Sequence, residues 1–122
     1  MEVKLTPADL REFELEVFDA FKNKKITSPI HLRGGNEEHL IEIFKDIKPQ
    51  DYCFATWASH LECLLKGVPR DRVMASILNN KSICLSFKEY NIISSAIVGG
   101  NAPIAVGIAM GIKISYPFRI WV

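Results

Sequence analysis

Ile97-Val98-Gly99-Gly100-Asn101-Ala102-Pro103-Ile104-Ala105-Val106-Gly107-Ile108-Ala109-Met110-Gly111-Ile112 carries most of the architectural information in this chain. Its head is a glycine turn. Pro103 then stands where a helix begins, because a ring-locked φ and a missing N–H cost nothing in a first turn. Residues 104–112 are apolar on every side, and such a helix is expected to be buried. Gly107 and Gly111, four apart, share one face and would let another backbone approach closely. Beyond a turn comes Phe118-Arg119-Ile120-Trp121-Val122, rich in β-formers and read as a strand. A buried helix, a turn and a strand begin an α/β unit. In such units the ligand loop follows the carboxyl end of the strand.

The run 102–112 is roughly half of the ~20 residues that span a bilayer, so it reads as a core helix, not an anchor. A strand needs neighbours to satisfy its backbone, and the sequence shows few candidates for them. The expectation is therefore one partial domain, residues 1–122, whose sheet is completed by further chain or by a partner.

Upstream the pattern is helical. Thr6 caps a helix with Pro7 in its first turn and Asp9 as the reciprocal member of a capping box. Leu10, Phe13, Val17 and Phe21 recur at helical spacing, with Arg11, Glu12, Glu14 and Glu16 between them. Lys22-Asn23-Lys24-Lys25 suits the helix end and reads as solvated. Thr27-Ser28-Pro29 breaks the chain and His31-Leu32-Arg33-Gly34-Gly35-Asn36 is a loop. Asn36 is expected to cap a second helix with Leu40, Ile41, Phe44 and Ile47 inward. After the turn Lys48-Pro49-Gln50-Asp51, residues 52–57 read as extended. A short helix over 60–66 ends at Gly67. Another follows Pro69, with Val73, Met74, Ile77 and Leu78 inward. Residues 79–91 read as a loop with one short extended piece.

Composition bounds the function classes. The chain has 122 residues, 48% hydrophobic and 24% charged, close to an ordinary folded domain and unlike a disordered tail. Fifteen basic against fourteen acidic residues leave a net charge of +1, with no strong field for nucleic acid or anionic lipid. Cys53, Cys63 and Cys84, odd in number and widely spaced, give neither a disulfide framework nor a zinc signature. The N-terminus has no apolar signal core, which points to the cytoplasm or an organelle matrix.

Individual residues leave alternatives open. The turn at 97–101 could meet a cofactor with backbone groups at a helix start, or simply join two elements. It matches neither G-x-G-x-x-G nor a P-loop. His60, in Ala55-Thr56-Trp57-Ala58-Ser59-His60, could bond a phosphate or an intermediate, or be a half-buried structural histidine. Glu62 and Cys63 form no convincing catalytic pair with it. His39 and Glu42 share a helix face without a third metal ligand.

Three blocks together resemble a known family. They are His31-Leu32-x-x-Gly35-Asn36-Glu37, then Asp51-Tyr52-x-Phe54-x-Thr56-Trp57-x-x-His60 leading to Lys66-Gly67-Val68-Pro69, then Ile97-Val98-Gly99-Gly100-x-x-Pro103-Ile104-Ala105-x-Gly107-Ile108-Ala109. In this order the chain resembles the N-terminal part of the alpha subunit of the thiamine-diphosphate-dependent dehydrogenase component of 2-oxo acid dehydrogenase complexes. Pyruvate, branched-chain and acetoin dehydrogenases are of this type.

The resemblance implies an α/β fold with a parallel sheet, of which this chain is the helix-dominated first part. It implies thiamine diphosphate and Mg²⁺ at an interface with a beta-subunit-like chain in a heterotetramer, and acyl transfer to a lipoyl-bearing acyltransferase. By position, Ile97, Val98 and Gly99 match the segment whose backbone meets the aminopyrimidine. Trp57 and Ala58 replace a tyrosine–arginine pair, and His60 matches the histidine after it, the candidate catalytic residue. No metal ligand falls within these residues; the Gly-Asp-Gly metal loop would follow the terminal strand. Ala58 removes a charged donor to the diphosphate. Two functions follow: a subunit of a 2-oxo acid dehydrogenase, or a non-catalytic relative that assembles with a partner and binds cofactor poorly.

Overall fold

A computed structural model describes residues 3–115 and 119–122. The helices are α1 (Pro7–Lys22), α2 (Glu37–Lys45), α3 (His60–Leu65), α4 (Arg70–Leu78) and α5 (Asn101–Ser115); the strands are β1 (Tyr52–Ala55), β2 (Ser86–Phe87), β3 (Ile92–Ser94) and β4 (Ile120–Trp121). The sheet order is β2-β3-β1-β4. Central β1 runs parallel to both β3 and β4, with Cys53 opposite Ile92 on one side and Trp121 on the other; β2 is antiparallel to β3. The fold is helix-rich α/β with a small mixed sheet, as expected for the first part of a thiamine-diphosphate-type fold.

Local sequence accounts for the first helix. Thr6 Oγ1 accepts the Asp9 amide at 3.2 Å while Asp9 Oδ2 accepts the Thr6 amide at 2.7 Å, closing the capping box. Leu10, Phe13 and Val17 are fully buried. Phe21, expected inward, lies 42% exposed at the helix end, and Leu78 on α4 is likewise exposed. In both cases the residue stands in the last turn of its helix. Asn36 occupies the N-cap of α2 without a side-chain bond to it; Glu37 instead accepts the Gly35 amide at 3.3 Å.

Two expectations change. Terminal β4 does have neighbours, because β1 and the unforeseen β3 form the sheet's parallel core. Three residues, Ile92-Ile93-Ser94, are too few to show a period. Helix α5 is not buried. It packs against β1 through Ala105, while Ile104, Val106, Met110 and Ile114 are exposed. No described atom outside the helix's own backbone approaches within 4 Å of a Cβ built on Gly107 or Gly111. The all-round apolar pattern was legible, but its cover is not among the described residues. Phe118, read as part of the strand, lies outside them.

Asp51 sets the register of β4. Its carboxylate accepts the Lys48 amide (3.0 Å), the Arg119 amide (3.1 Å) and the Trp121 indole (3.2 Å). Burial pushes this carboxyl up, but those donors and the nearby Lys66 outweigh it and leave it below the ordinary aspartate value. A carboxyl depressed in the folded state contributes stability above its unfolded value, about 3.9, and loses it as pH falls through the folded value. Asp51→Ala is therefore expected to release β4. In a Trp57→Phe background, Trp121 emission should shift to the red at neutral pH in the variant, and in the parent only below about pH 4. An unshifted variant would show that Asp51 does not hold the strand.

Candidate functional site

Because β1 is parallel to β3 and β4, the carboxyl ends of all three open at the same edge. Thr56 and Trp57 leave β1 there, Ser95 leaves β3 and Val122 follows β4. The turn at 97–100 follows, tied by Gly100 N–H to Ile97 O at 3.0 Å and Ala102 N–H to Gly99 O at 3.2 Å. Gly99 has φ +72°, which a side chain resists. A Cβ on Gly100 would lie 3.0 Å from Ile97 Cβ. Asn101 opens α5 and anchors it, its Nδ2 donating to Ala55 O at 2.8 Å and more weakly to Ile93 O at 3.4 Å.

These groups enclose a cleft of about 130 Å³ lined by Phe54, Thr56, Trp57, Ile97, Gly99 and Asn101, among others. A shallower depression of about 260 Å³ is lined by Pro29, His31, Trp57, Ile83, Ala96 and Val98. Trp57 borders both, and His31 meets it edge-to-face with centroids 6.1 Å apart. The structure thus gathers Trp57, Ile97, Val98 and Gly99 from the second and third sequence blocks, and His31 from the first.

His60 lies elsewhere. It is fully buried, with Nδ1 2.8 Å from Glu14 Oε1 and Nε2 2.7 Å from Ser82 Oγ. Glu14 Oε2 accepts the Arg33 amide at 2.8 Å. Both ring nitrogens are occupied, and His60 lines neither depression. Sequence reading passed over Glu14 as one of the polar residues between apolar positions, yet it is buried. The signal was available: Glu14 sits four after Leu10 and three before Val17, on the inward face. Ser82, in a short 3-10 turn, gave no such signal.

The two depressions test the donor set. His31 is the one titratable side chain lining either among the described residues. Ala58 N–H is turned to Thr56 Oγ1 at 3.3 Å. Aromatic and aliphatic walls with exposed turn backbone suit an uncharged planar ring. They do not suit a diphosphate, which needs cationic or metal partners. Among the described residues no group of three or more His, Cys, Asp or Glu side chains could hold a metal, and no helix is long and apolar enough to cross a membrane. Burial pushes the Cys53 thiol up to about 11, and drives Cys63 further in the same direction, so both are inert as nucleophiles near neutral pH.

Residues 7–117 match the family described as Dehydrogenase E1 component. The chain belongs to that family. Among curated relatives of this dehydrogenase E1 component chain is the Pyruvate dehydrogenase E1 component subunit alpha of Porphyra purpurea. It is 30% identical over 74 residues, which is 61% of this chain and 22% of the relative. The testis-specific mitochondrial form of that subunit from Homo sapiens is 24% identical over 112 residues, covering 85% of this chain and 29% of its own length. The mitochondrial form from Sminthopsis macroura is 26% identical over 112 residues, covering 85% and 31%. The dehydrogenase E1 component chain thus spans less than a third of each of these relatives.

Proposed function

We propose that this chain is the alpha-subunit-like first part of a thiamine-diphosphate-dependent 2-oxo acid dehydrogenase, and that it supplies the ring side of the cofactor site. One observation carries this reading: three separated sequence blocks meet around Trp57 at the carboxyl ends of parallel strands, where open α/β sheets bind ligands. In it, the backbone of Ile97, Val98 and Gly99 and the face of Trp57 contact the aminopyrimidine end. The diphosphate and Mg²⁺ are held by groups outside the described residues. His60 supports the segment carrying Trp57 and does not touch substrate. The exposed apolar side chains of α5 are covered by the rest of the subunit or by a beta-subunit-like chain. Oxidative decarboxylation of a 2-oxo acid, with acyl transfer to a lipoyl carrier, belongs to the assembled enzyme. The cytoplasm or an organelle matrix is the compartment we infer.

The uncharged walls also favour a second reading, a relative that assembles but binds cofactor poorly. Calorimetry of the intact protein with its partner separates the two. Saturable heat with thiamine diphosphate and Mg²⁺ is expected on the first reading; none at millimolar cofactor overturns it. Ala58→Arg, which restores a charged donor worth about 1.5–3 kcal/mol, is expected to tighten binding by roughly 10–100-fold. Unchanged affinity would mean that residue 58 does not face the diphosphate.

A further inference from the structure

The loop at 29–35 precedes α2, and among the described residues none of its amides bonds a backbone carbonyl. Two are held by carboxylates instead. Glu14 Oε2 accepts the Arg33 amide at 2.8 Å and Glu37 Oε1 accepts the Gly35 amide at 3.3 Å. Buried Glu14 has a second tie. Its Oε1 lies 2.8 Å from Nδ1 of His60, which opens α3 just after the segment carrying Trp57. Arg33, in turn, closely follows His31, whose ring meets Trp57 edge-to-face. The two oxygens of one carboxylate therefore join the two segments that carry the two rings. The Arg33 side chain repeats the link, its Nη1 2.6 Å from Glu62 Oε1 on α3.

We propose that Glu14 is a positioning residue: it sets His31 against Trp57 and so shapes the aromatic wall of the candidate cofactor site, without touching a ligand. This rests on the reading of that wall as the ring side of a thiamine diphosphate site. The chemistry selects a carboxylate at residue 14. Two donors converge on it, the Arg33 amide and the imidazole Nδ1–H, whose proton is assigned from its partner. A carboxylate accepts at both oxygens, whereas an amide has one acceptor oxygen. Glutamine can serve the ring or the loop, but not both. Serving the buried ring turns its NH2 toward the Arg33 amide, and the loop is released. Without backbone bonds of its own, the loop then lets His31 leave Trp57.

Near-ultraviolet circular dichroism of Trp57, in a Trp121→Phe background, reads the ring pair without any ligand. Glu14→Gln and His31→Ala are each expected to lose most of the Trp57 band. Combining them should remove little more, because both act on one contact. Val17→Ala weakens the packing of the same helix but leaves residue 14 in place, and should keep the band. In the unaltered protein, the Arg33 amide should exchange hydrogen at least about tenfold more slowly than those of Leu32 and Gly34. In the intact protein with its partner, Glu14→Gln should weaken thiamine diphosphate about 2–10-fold, the weight of one aromatic contact, and that loss should vanish in a His31→Ala background. An unchanged band in Glu14→Gln, an equal loss in Val17→Ala, equal exchange along the loop, or equal cofactor affinity in parent and Glu14→Gln would each overturn the proposal. A parent that binds no cofactor overturns the reading of the site instead, a failure distinct from an unchanged band.

Discussion

His60→Ala is expected to lower the free energy of unfolding by about 2–5 kcal/mol, because two buried polar groups lose their partner and a cavity opens. The imidazole joins three elements. Its Nδ1 reaches Glu14 on α1 and its Nε2 reaches Ser82 in the turn after α4, while its own backbone starts α3. Alanine leaves one Glu14 oxygen and the Ser82 hydroxyl buried without their present partner, and leaves a void beside Phe13, whose ring meets His60 edge-on at 6.5 Å. Urea unfolding with an unchanged denaturant slope measures the effect. Glu14→Gln keeps an acceptor toward the ring and should cost less than half as much. A loss under about 1 kcal/mol for His60→Ala would mean that water readily replaces the ring, as at an exposed site.

Phe13→Ala is expected to cost about 3–5 kcal/mol. Phe13 has no exposed surface and is the largest fully buried side chain among the described residues. On one side it packs against His60; on another the Arg70 guanidinium lies 5.3 Å from its ring centroid. The cost combines lost transfer free energy with the cavity left where the ring stood. Phe13→Leu, nearer in volume, should cost under about 1.5 kcal/mol. Because Phe13 and His60 touch, their alanine effects should not add. The double variant is expected to lose about 0.5–3 kcal/mol less than the sum, and strict additivity would disprove the contact's energetic role.

Much of the fold was legible because its signals are local. The Thr6–Asp9 capping box, the Leu10–Phe13–Val17 stripe and the glycine turn before Pro103 each span a few residues and depend on backbone sterics. The helix ending at Gly67, which has φ +95°, is of the same kind. β3 was not legible, since three residues carry no period and its existence depends on pairing with β1. The candidate site divides the same way. Trp57, Ile97, Val98 and Gly99 were singled out through the resemblance, and the parallel register gathers them at one edge. His60 was singled out in the same way, but burial and two hydrogen-bond partners place it in the core.

The opening stretch shows both sides. By itself the sequence determined that residues 97–101 turn and that an apolar helix follows, because glycine conformation, proline geometry and side-chain periodicity are properties of neighbours in the chain. Only the tertiary structure decided that this helix rests on β1 through Ala105 and leaves Ile104, Val106, Met110 and Ile114 exposed. It alone decided that Glu14 completes the His60 network and that one Glu62 oxygen is buried without a partner. Burial is a property of what folds over a residue, and those partners lie 46 positions away for Glu14 and His60, farther than any local pattern reaches.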